Sequence, residues 1–211
     1  MINAENITLL LAAYMFGSIP SAVWIGKVFF NTDVREYGSG NAGATNTFRV
    51  LGPKAGVPVL LMDIAKGWIA VQLATYFGEY MPATQQFINF KLTLGAAALL
   101  GHIFPVFAGF RGGKGVATLL GILWGVNPPA AVICMGVFLL FFLTTGYVSL
   151  GSMAAAVSFP FIVMWWLNET VTSMNVFAIA VPILVLITHQ KNIERILKRT
   201  ESRVYLFRRK H

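Results

Sequence analysis

Long apolar stretches, each close to the length that spans a bilayer, follow one another along most of the chain. This pattern predicts an all-α membrane protein with seven transmembrane helices, each bound placed only to within several residues, at 5–26, 54–78, 88–108, 114–127, 129–145, 150–167 and 172–188. The fourth and fifth are short, and Asn127-Pro128-Pro129 predicts a tight turn between antiparallel helices. The sequence has no internal repeat and no low-complexity linker, so we expect residues 1–211 to form a single domain.

The composition also indicates a lipid environment. Of the 211 residues, 56% are hydrophobic and 11% are charged, and the mean hydropathy is +0.69. A soluble domain carries about 25% charged residues, so this chain has too few to cover a surface in water. The first apolar stretch has no basic segment before it and no clear cleavage site, so we expect a retained helix rather than a signal peptide. The single Cys134 excludes an intramolecular disulfide and a thiolate metal cluster, and its apolar neighbours predict simple packing.

The basic residues predict the orientation in the membrane. With an external N-terminus, the cytoplasmic segments are 27–53, 109–113, 146–149 and the tail from 189. Of the 16 lysines and arginines, only Lys91 then lies outside and only Lys66 lies deep within a helix. Because cytoplasmic loops are enriched in basic residues, we predict an external N-terminus and a cytoplasmic tail. The same asymmetry accounts for the net charge of +8, which therefore does not indicate a nucleic-acid partner.

The longest cytoplasmic loop is rich in glycine and carries the sequence YGSGNAGATNTFR at 37–49. Closely spaced glycines let the backbone turn sharply, and exposed N–H groups in such turns form anion-binding concavities. Side-chain donors come from Ser39, Thr45 and Asn46, and Arg49 offers a bidentate contact to phosphate. The alternative is an ordinary turn rich in glycine, asparagine and serine.

A second polar segment reads GHIFPVF at 101–107 and FRGGKGVAT at 110–118. It places two cations, Arg111 and Lys114, and the backbone of Gly112 and Gly113 at the start of an apolar helix, which favours an anion. The spacing is not that of a Walker A loop. The alternatives are a basic cytoplasmic loop that uses glycine as a connector, and a packing role for His102.

Asp63 and Lys66 lie one helical turn apart within the second predicted span. Ionisable residues inside a span are costly and often functional. They predict either a buried ion pair that fixes helix packing or a direct contact with substrate. The polar turn TTGYVSLGS at 144–152 similarly predicts either contact with a head group or, for Gly151 and Ser152, close helix packing.

The basic tail predicts a helix lying on the membrane surface, with apolar residues near one face at Ile193, Ile196, Leu197 and Val204. His189 and Asn192, just below the last span, could instead face the other polar motifs. We expect the basic residues beyond Arg195 to act as anchors to the lipid surface.

These segments together closely resemble the bacterial acyl-phosphate:glycerol-3-phosphate acyltransferase family. The resemblance runs from Gly17-Ser18-Ile19-Pro20 to Glu201 and includes the motifs at 38–49, 101–105, 110–118, 145–149 and 189–195. One departure is that the tail reads Lys198-Arg199-Thr200-Glu201 where a glycine is expected before the glutamate.

The resemblance implies a seven-span bacterial inner-membrane enzyme with an external N-terminus and an active site facing the cytoplasm. It would move an acyl chain from acyl phosphate to the 1-hydroxyl of sn-glycerol 3-phosphate, giving lysophosphatidic acid and inorganic phosphate, the first acylation of phospholipid synthesis. The implied catalytic residues are Ser39, Lys114 and His189. The implied substrate-binding residues are Gly40, Asn41, Gly43, Thr45, Asn46, Arg49, His102, Arg111, Gly112, Gly113 and Asn192. No metal or cofactor is implied, and the partners are the two substrates and membrane lipid.

Direct transfer without an acyl-enzyme is the mechanism we expect, because acyl phosphate is a mixed anhydride with a good leaving group. Acyl-CoA-dependent acyltransferases commonly use a His-x4-Asp dyad, but Phe107 follows His102 and Glu194 follows His189 at that spacing. The rival functions are a transporter for a phosphorylated metabolite and a non-catalytic lipid-binding scaffold. Many transporters show internal repeats, which this sequence lacks.

Overall fold

The computed structural model describes residues 4–82 and 84–204. These residues form ten α-helices, which are α1 (Ala4–Gly17), α2 (Ser21–Phe30), α3 (Ala44–Leu51), α4 (Pro53–Phe77), α5 (Gln85–Ile103), α6 (Val116–Val126), α7 (Pro128–Thr145), α8 (Val148–Phe161), α9 (Thr172–Thr188) and α10 (Gln190–Leu197). Short 3₁₀ turns lie at Val34–Glu36 and Val106–Ala108, and a π-helical turn lies at Ile162–Trp166. Because the described ranges contain no strand, the all-α prediction is confirmed.

The helices group into two compact units, Met1–Pro128 and Pro129–His211. The first unit contains α1 to α6, and the second contains α8 to α10 and nearly all of α7. Each unit is described by itself below, and the prediction of a single domain stays a prediction. The connection predicted at Asn127 is as short as expected, since α6 ends at Val126 and α7 begins at Pro128.

Four helical stretches are long and apolar enough to cross a membrane, namely Pro53–Phe77, Gln85–Ala108, Pro128–Thr145 and Val148–Trp166. Two bent pairs, α1 with α2 at 43° and α9 with α10 at 62°, raise the number to six if each pair is one span. The remaining predicted span corresponds to α6, which is apolar but only 11 residues long. The described residues therefore contain four to six candidate spans, and seven stays a prediction.

The first predicted span is broken between Gly17 and Ser21. Pro20 stands at the N-cap of α2, and proline has no N–H with which to continue a helix. The break exposes the carbonyl group of Ile19 to α4, where Lys66 Nζ donates a hydrogen bond to it at 2.9 Å. The ammonium group of a lysine buried within a span is thereby satisfied.

Glycines allow α4 and α6 to approach closely. A Cβ atom at Gly67 would overlap the carbonyl oxygen of Thr118, and one at Gly121 would overlap that of Ile64. Small residues let membrane helices pack at short range in this way. The approach brings polar side chains of both helices near the end of α5.

The predicted amphipathic tail helix is shorter than expected. It ends at Leu197, so Val204 does not share its apolar face; instead the Val204 N–H donates to the carbonyl oxygen of Gly146 at 2.8 Å. The helix stops because Arg199 takes a left-handed backbone conformation, with φ +57°. The last basic residues of the tail, Arg208, Arg209 and Lys210, lie outside the described residues.

Candidate active site

Half of the glycine-rich loop is helical, which the sequence analysis did not predict. α3 begins at Ala44 with Gly43 as its N-cap, so Thr45, Asn46 and Arg49 lie on a helix. α3 is held against α4 because the ring of Phe48 lies over Gly56, where any Cβ atom would overlap it.

Asn46 fixes the preceding turn. Its buried side chain accepts the Ser39 N–H at Oδ1 (2.9 Å) and donates from Nδ2 to the carbonyl oxygens of Val34 (2.7 Å) and Tyr37 (3.1 Å). Gly38 has φ +62°, and a Cβ atom there would overlap Asn46 Oδ1. The amide predicted to bind substrate is therefore bonded to its own loop, and it positions the backbone of Ser39.

The N-terminus of α3 offers backbone donors for an anion. The first N–H groups of a helix have no acceptor within it, and none of the described side chains caps α3. Thr47 is the first residue whose N–H bonds back into the helix turn, to the carbonyl oxygen of Gly43 at 3.1 Å. Because a helix N-terminus carries partial positive charge, a phosphate group would fit the place of the missing cap.

Asp33 and Arg35 join this loop to the second polar segment. The Asp33 carboxylate accepts hydrogen bonds from the Arg35 N–H (3.0 Å), Nε (3.0 Å) and Nη2 (2.7 Å), and Arg35 Nη1 donates to the carbonyl oxygen of Ala108 at 2.8 Å. These hydrogen bonds from Arg35 hold the pKa of Asp33 far below its usual range and outweigh the effect of burial. The guanidinium group thus fixes the loop around 33–40 to the 3₁₀ turn Val106–Ala108.

The second segment folds back on the end of α5. The Gly112 N–H donates to the carbonyl oxygen of Ile103 and the Gly113 N–H to that of His102, both at 3.2 Å. These two amides, predicted as donors for an anion, are therefore bonded within the protein. Lys114 follows at once and is half-buried, and α6 begins after Gly115, which has φ +84°.

A buried polar cluster lies behind this turn, and its members come from α2, α4, α5 and α6. Asp63 Oδ1 contacts Ser21 Oγ at 3.0 Å, Lys66 Nζ at 2.9 Å and His102 Nδ1 at 3.7 Å. His102 Nδ1 lies 3.1 Å from Thr118 Oγ1. The sequence predicted the pair of Asp63 and Lys66, whereas the other partners depend on the helix break and on the close packing of α4 and α6.

In the second unit, Glu201 organises the residues predicted around the last helix bend. Its carboxylate accepts hydrogen bonds from Ser149 Oγ (2.9 Å), Asn192 Nδ2 (2.7 Å) and Arg195 Nε (2.6 Å). Burial raises the pKa of Glu201, but the hydrogen bonds from Arg195, Asn192 and Ser149 outweigh it, so the pKa lies below its ordinary value. His189 is buried at the bend between α9 and α10, and its Nδ1 lies 2.8 Å from the carbonyl oxygen of Val185.

The predicted site residues differ in accessibility. The exposed ones are Ser39, Gly40, Arg49 and Arg111; the half-buried ones are Asn41, Gly43, Thr45, Gly112 and Lys114; the buried ones are Asn46, His102, Gly113, His189 and Asn192. Within the first unit, Arg35 ties the two glycine-rich segments together, while His189 and Asn192 belong to the second unit. The sequence analysis did not identify Asp33, Arg35 and Glu201 as residues that hold the site together. The available signal was that each carboxylate lies close in sequence to its arginine partner, Asp33 to Arg35 and Glu201 to Arg195.

Comparison with known proteins places these features in a family. The family model of glycerol-3-phosphate acyltransferase matches residues 7–199. A glycerol-3-phosphate acyltransferase of Enterococcus faecalis is 46% identical over 205 residues, covering 94% of this chain and 91% of the relative. That of Listeria monocytogenes is 44% identical over 198 residues, covering 94% and 96%.

Two crystal structures of PlsY (YgiH), an integral membrane glycerol 3-phosphate acyltransferase, resemble the fold, and each alignment covers 96% of both chains. The glycerol 3-phosphate form has a TM-score of 0.84 at 38% identity, and the lysophosphatidic acid form has a TM-score of 0.80 at 37% identity. Sequence and fold agree over nearly the whole chain. The chain therefore belongs to the glycerol-3-phosphate acyltransferase family of integral membrane enzymes.

Proposed function

We propose that this enzyme transfers an acyl chain from acyl phosphate to the 1-hydroxyl of sn-glycerol 3-phosphate, releasing lysophosphatidic acid and inorganic phosphate. The observation that carries the proposal is the glycine-rich turn held by Asn46, which leads into the uncapped N-terminus of α3. Such a site binds a phosphate group through backbone donors. The family membership and the PlsY form bound to glycerol 3-phosphate support the acceptor substrate.

Acyl phosphate is the donor that fits this chemistry. Its phosphate would bind the backbone N–H groups of Asn41, Gly43 and Thr45 at the start of α3, where the helix dipole stabilises the charge that develops on the leaving group. Gly40 instead shapes the turn, since its N–H donates to the carbonyl oxygen of Tyr37 at 3.0 Å. The sequence lacks the His-x4-Asp spacing common among acyl-CoA-dependent enzymes, since Phe107 and Glu194 occupy the relevant positions.

The remaining residues would bind glycerol 3-phosphate and align its hydroxyl group. Arg49 and Arg111 are exposed, and their guanidinium groups suit bidentate binding of phosphate. Lys114 would add a point charge to the same anion, and the exposed Ser39 hydroxyl would orient the reacting oxygen. His189 and Asn192 are proposed on the family resemblance of their motif.

Transfer is direct in this proposal. The 1-hydroxyl oxygen attacks the carbonyl carbon, the new ester C–O bond forms, and the bond from that carbon to the phosphate oxygen breaks. Phosphate leaves with the electron pair, and the hydroxyl proton passes to a phosphate oxygen. Alignment alone contributes about 7–11 kcal/mol in favourable cases, and electrostatic stabilisation of the oxyanion adds to it.

The proposal includes the bacterial inner membrane as location, with seven spans, an external N-terminus and the site facing the cytoplasm. The distribution of lysine and arginine supports this orientation. α6 would be the seventh span, with its 11 apolar residues accommodated by local thinning of the bilayer or by the neighbouring helices.

The direct test is phosphate release by the purified protein supplied with acyl phosphate and glycerol 3-phosphate. Arg49→Ala and Lys114→Ala should each lower turnover at least tenfold without preventing membrane insertion, because each removes a charge that offsets phosphate. Lys54→Ala is the control for loss of a positive charge, since Lys54 is an exposed cation in the first turn of α4. Near-normal turnover in both site variants would refute the assignment.

Two further outcomes separate the alternatives. Absence of phosphate release together with uptake of glycerol 3-phosphate into vesicles would support the transporter instead. A burst of acyl-enzyme in rapid-quench experiments with labelled acyl phosphate would rule out direct transfer.

A further inference from the structure

The buried cluster of Ser21, Asp63, Lys66, His102 and Thr118 lies where a membrane helix bundle is expected to be apolar. All five residues are at most 5% exposed. Burying charged groups in a span is costly, and they persist mainly where they serve a function. The cluster therefore calls for an explanation beyond the packing of four helices.

The structure connects the cluster to the basic turn through His102. The main-chain carbonyl oxygen of His102 accepts the Gly113 N–H at 3.2 Å, and the neighbouring carbonyl of Ile103 accepts the Gly112 N–H at 3.2 Å. A Cβ atom at Gly113 would overlap His102 Nε2. The turn therefore lies directly against the imidazole, and the ring's orientation sets the path of the backbone into Lys114.

The imidazole ring of His102 is itself held by residues of α4 and α6. His102 Nδ1 lies 3.1 Å from Thr118 Oγ1 and 3.7 Å from Asp63 Oδ1. The carboxylate itself is held by the Ser21 hydroxyl at 3.0 Å and by the ammonium group of Lys66 at 2.9 Å. One continuous set of contacts thus runs from the helix break, through Asp63 and His102, to the turn that carries Lys114.

We propose that Asp63 is a positioning residue for the basic turn Gly112–Lys114, acting through His102, whose ring Thr118 also holds. It touches no substrate; it fixes the imidazole on which the turn rests, and so sets the place of the Lys114 ammonium. The inference rests on the proposed binding of glycerol 3-phosphate at this turn. Loss of the carboxylate should therefore raise the KM for glycerol 3-phosphate more than it lowers kcat.

Thr118 provides the cleanest test because valine has nearly the same shape as threonine. Thr118→Val removes the hydroxyl beside His102 Nδ1, and we expect it to raise the KM for glycerol 3-phosphate about tenfold, which corresponds to about 1.4 kcal/mol. Thr118→Ser keeps the hydroxyl, and its KM should stay near that of the wild type. Equal KM values in the valine and serine variants would overturn the proposal.

A double substitution that removes both charges distinguishes an effect on substrate binding from an effect on protein stability. Asp63→Asn alone leaves Lys66 with an unpaired buried charge and should lower the thermal midpoint. Adding Lys66→Met removes that charge, so the double variant should recover most of the midpoint while its KM stays raised. Lys91→Met is the control for loss of a lysine, because Lys91 lies near the start of α5 and likewise donates to a backbone carbonyl, that of Gly125 at 3.0 Å. A double variant with wild-type KM would show that the pair serves only stability.

Binding of labelled glycerol 3-phosphate to the purified protein is measured alongside turnover. If the wild type binds this ligand without releasing phosphate, the proposed reaction fails, and the positioning role is still decided by the binding constants of the same variants. Weakened binding in Thr118→Val and in the double variant supports the role, and unchanged binding in both overturns it.

Discussion

Replacing Asn46 with leucine should release the glycine-rich turn while leaving the helix bundle intact. Leucine is similar in size to asparagine but forms none of its three hydrogen bonds, with the Ser39 N–H and with the carbonyl oxygens of Val34 and Tyr37. Val34 is fully buried, whereas Ser39 and Tyr37 are exposed, so their backbone groups can form hydrogen bonds with water instead. The carbonyl oxygens of Val34 and Tyr37 keep one partner each, the N–H of Tyr37 at 3.4 Å and that of Gly40 at 3.0 Å, so the loss is that of ordinary hydrogen bonds, which contribute about 0.5–1.5 kcal/mol each.

The three losses together give about 2–4 kcal/mol of local stability. Hydrogen exchange measured by mass spectrometry on peptides that contain Ser39 should then be on the order of 30- to 1,000-fold faster, because each 1.4 kcal/mol is a factor of ten. Phosphate release should fall by a similar or larger factor, since the loop that binds phosphate no longer has a single conformation.

Two further substitutions sharpen the result. Asn46→Asp keeps the acceptor for the Ser39 N–H but places a carboxylate against two carbonyl oxygens, so it should be at least as damaging as leucine. Asn31→Gly is the control in the connection between α2 and α3, because Asn31 is exposed and has φ +48°, which glycine adopts without strain. Unchanged exchange at Ser39 in the leucine variant would refute the view that Asn46 holds the turn.

Three other changes have defined outcomes. Acid should destabilise the second unit, because the pKa of Glu201 is lower in the folded protein than in the unfolded chain. The contribution of Glu201 to stability is therefore present above its ordinary pKa of about 4.3 and is lost as the pH falls through the folded value. Glu201→Gln should flatten this pH dependence of the thermal midpoint. Arg199→Gly should raise the thermal midpoint, because Arg199 has φ +57° and a left-handed non-glycine residue costs about 1 kcal/mol. The turn itself is held by the Thr200 N–H, which donates to the carbonyl oxygen of Arg195 at 2.8 Å. Gly67→Ala should lower membrane-inserted yield, since its Cβ atom would overlap the backbone of α6.

The sequence predicted the membrane helices well because apolar length is a local property. Six of the seven predicted spans overlap a long helix or a bent helix pair over most of their length, and the seventh overlaps α6, which is short. The break near Pro20 was missed although its residues were visible, since a continuous apolar run on both sides concealed it. α3 was missed because the sequence GATNTFR, which covers its N-cap Gly43 and most of the helix, also suits a turn.

The candidate site was predictable only in part because side-chain partners depend on tertiary structure. Glycine-rich segments and cations indicated phosphate, and the fold places two of those segments in contact through Arg35. The sequence did not show that Asn46 bonds to its own loop, or that Gly112 and Gly113 bond to the end of α5. In both cases the protein atom that was predicted to bind substrate is already hydrogen-bonded to another protein group, so the residue shapes the site instead.

The same geometry bears on the transporter alternative. Transporters often place coupling cations at broken helices, where backbone carbonyls and acidic side chains coordinate them near the membrane midplane. This chain has a broken helix with a carboxylate beside it, but the ammonium group of Lys66 bonds both the Ile19 carbonyl and Asp63. Because that cation is covalently attached to α4, it cannot leave and return as an exchanged ion does. The break and the carboxylate are therefore better suited to holding a fixed structure under the basic turn than to coupling ion movement to transport.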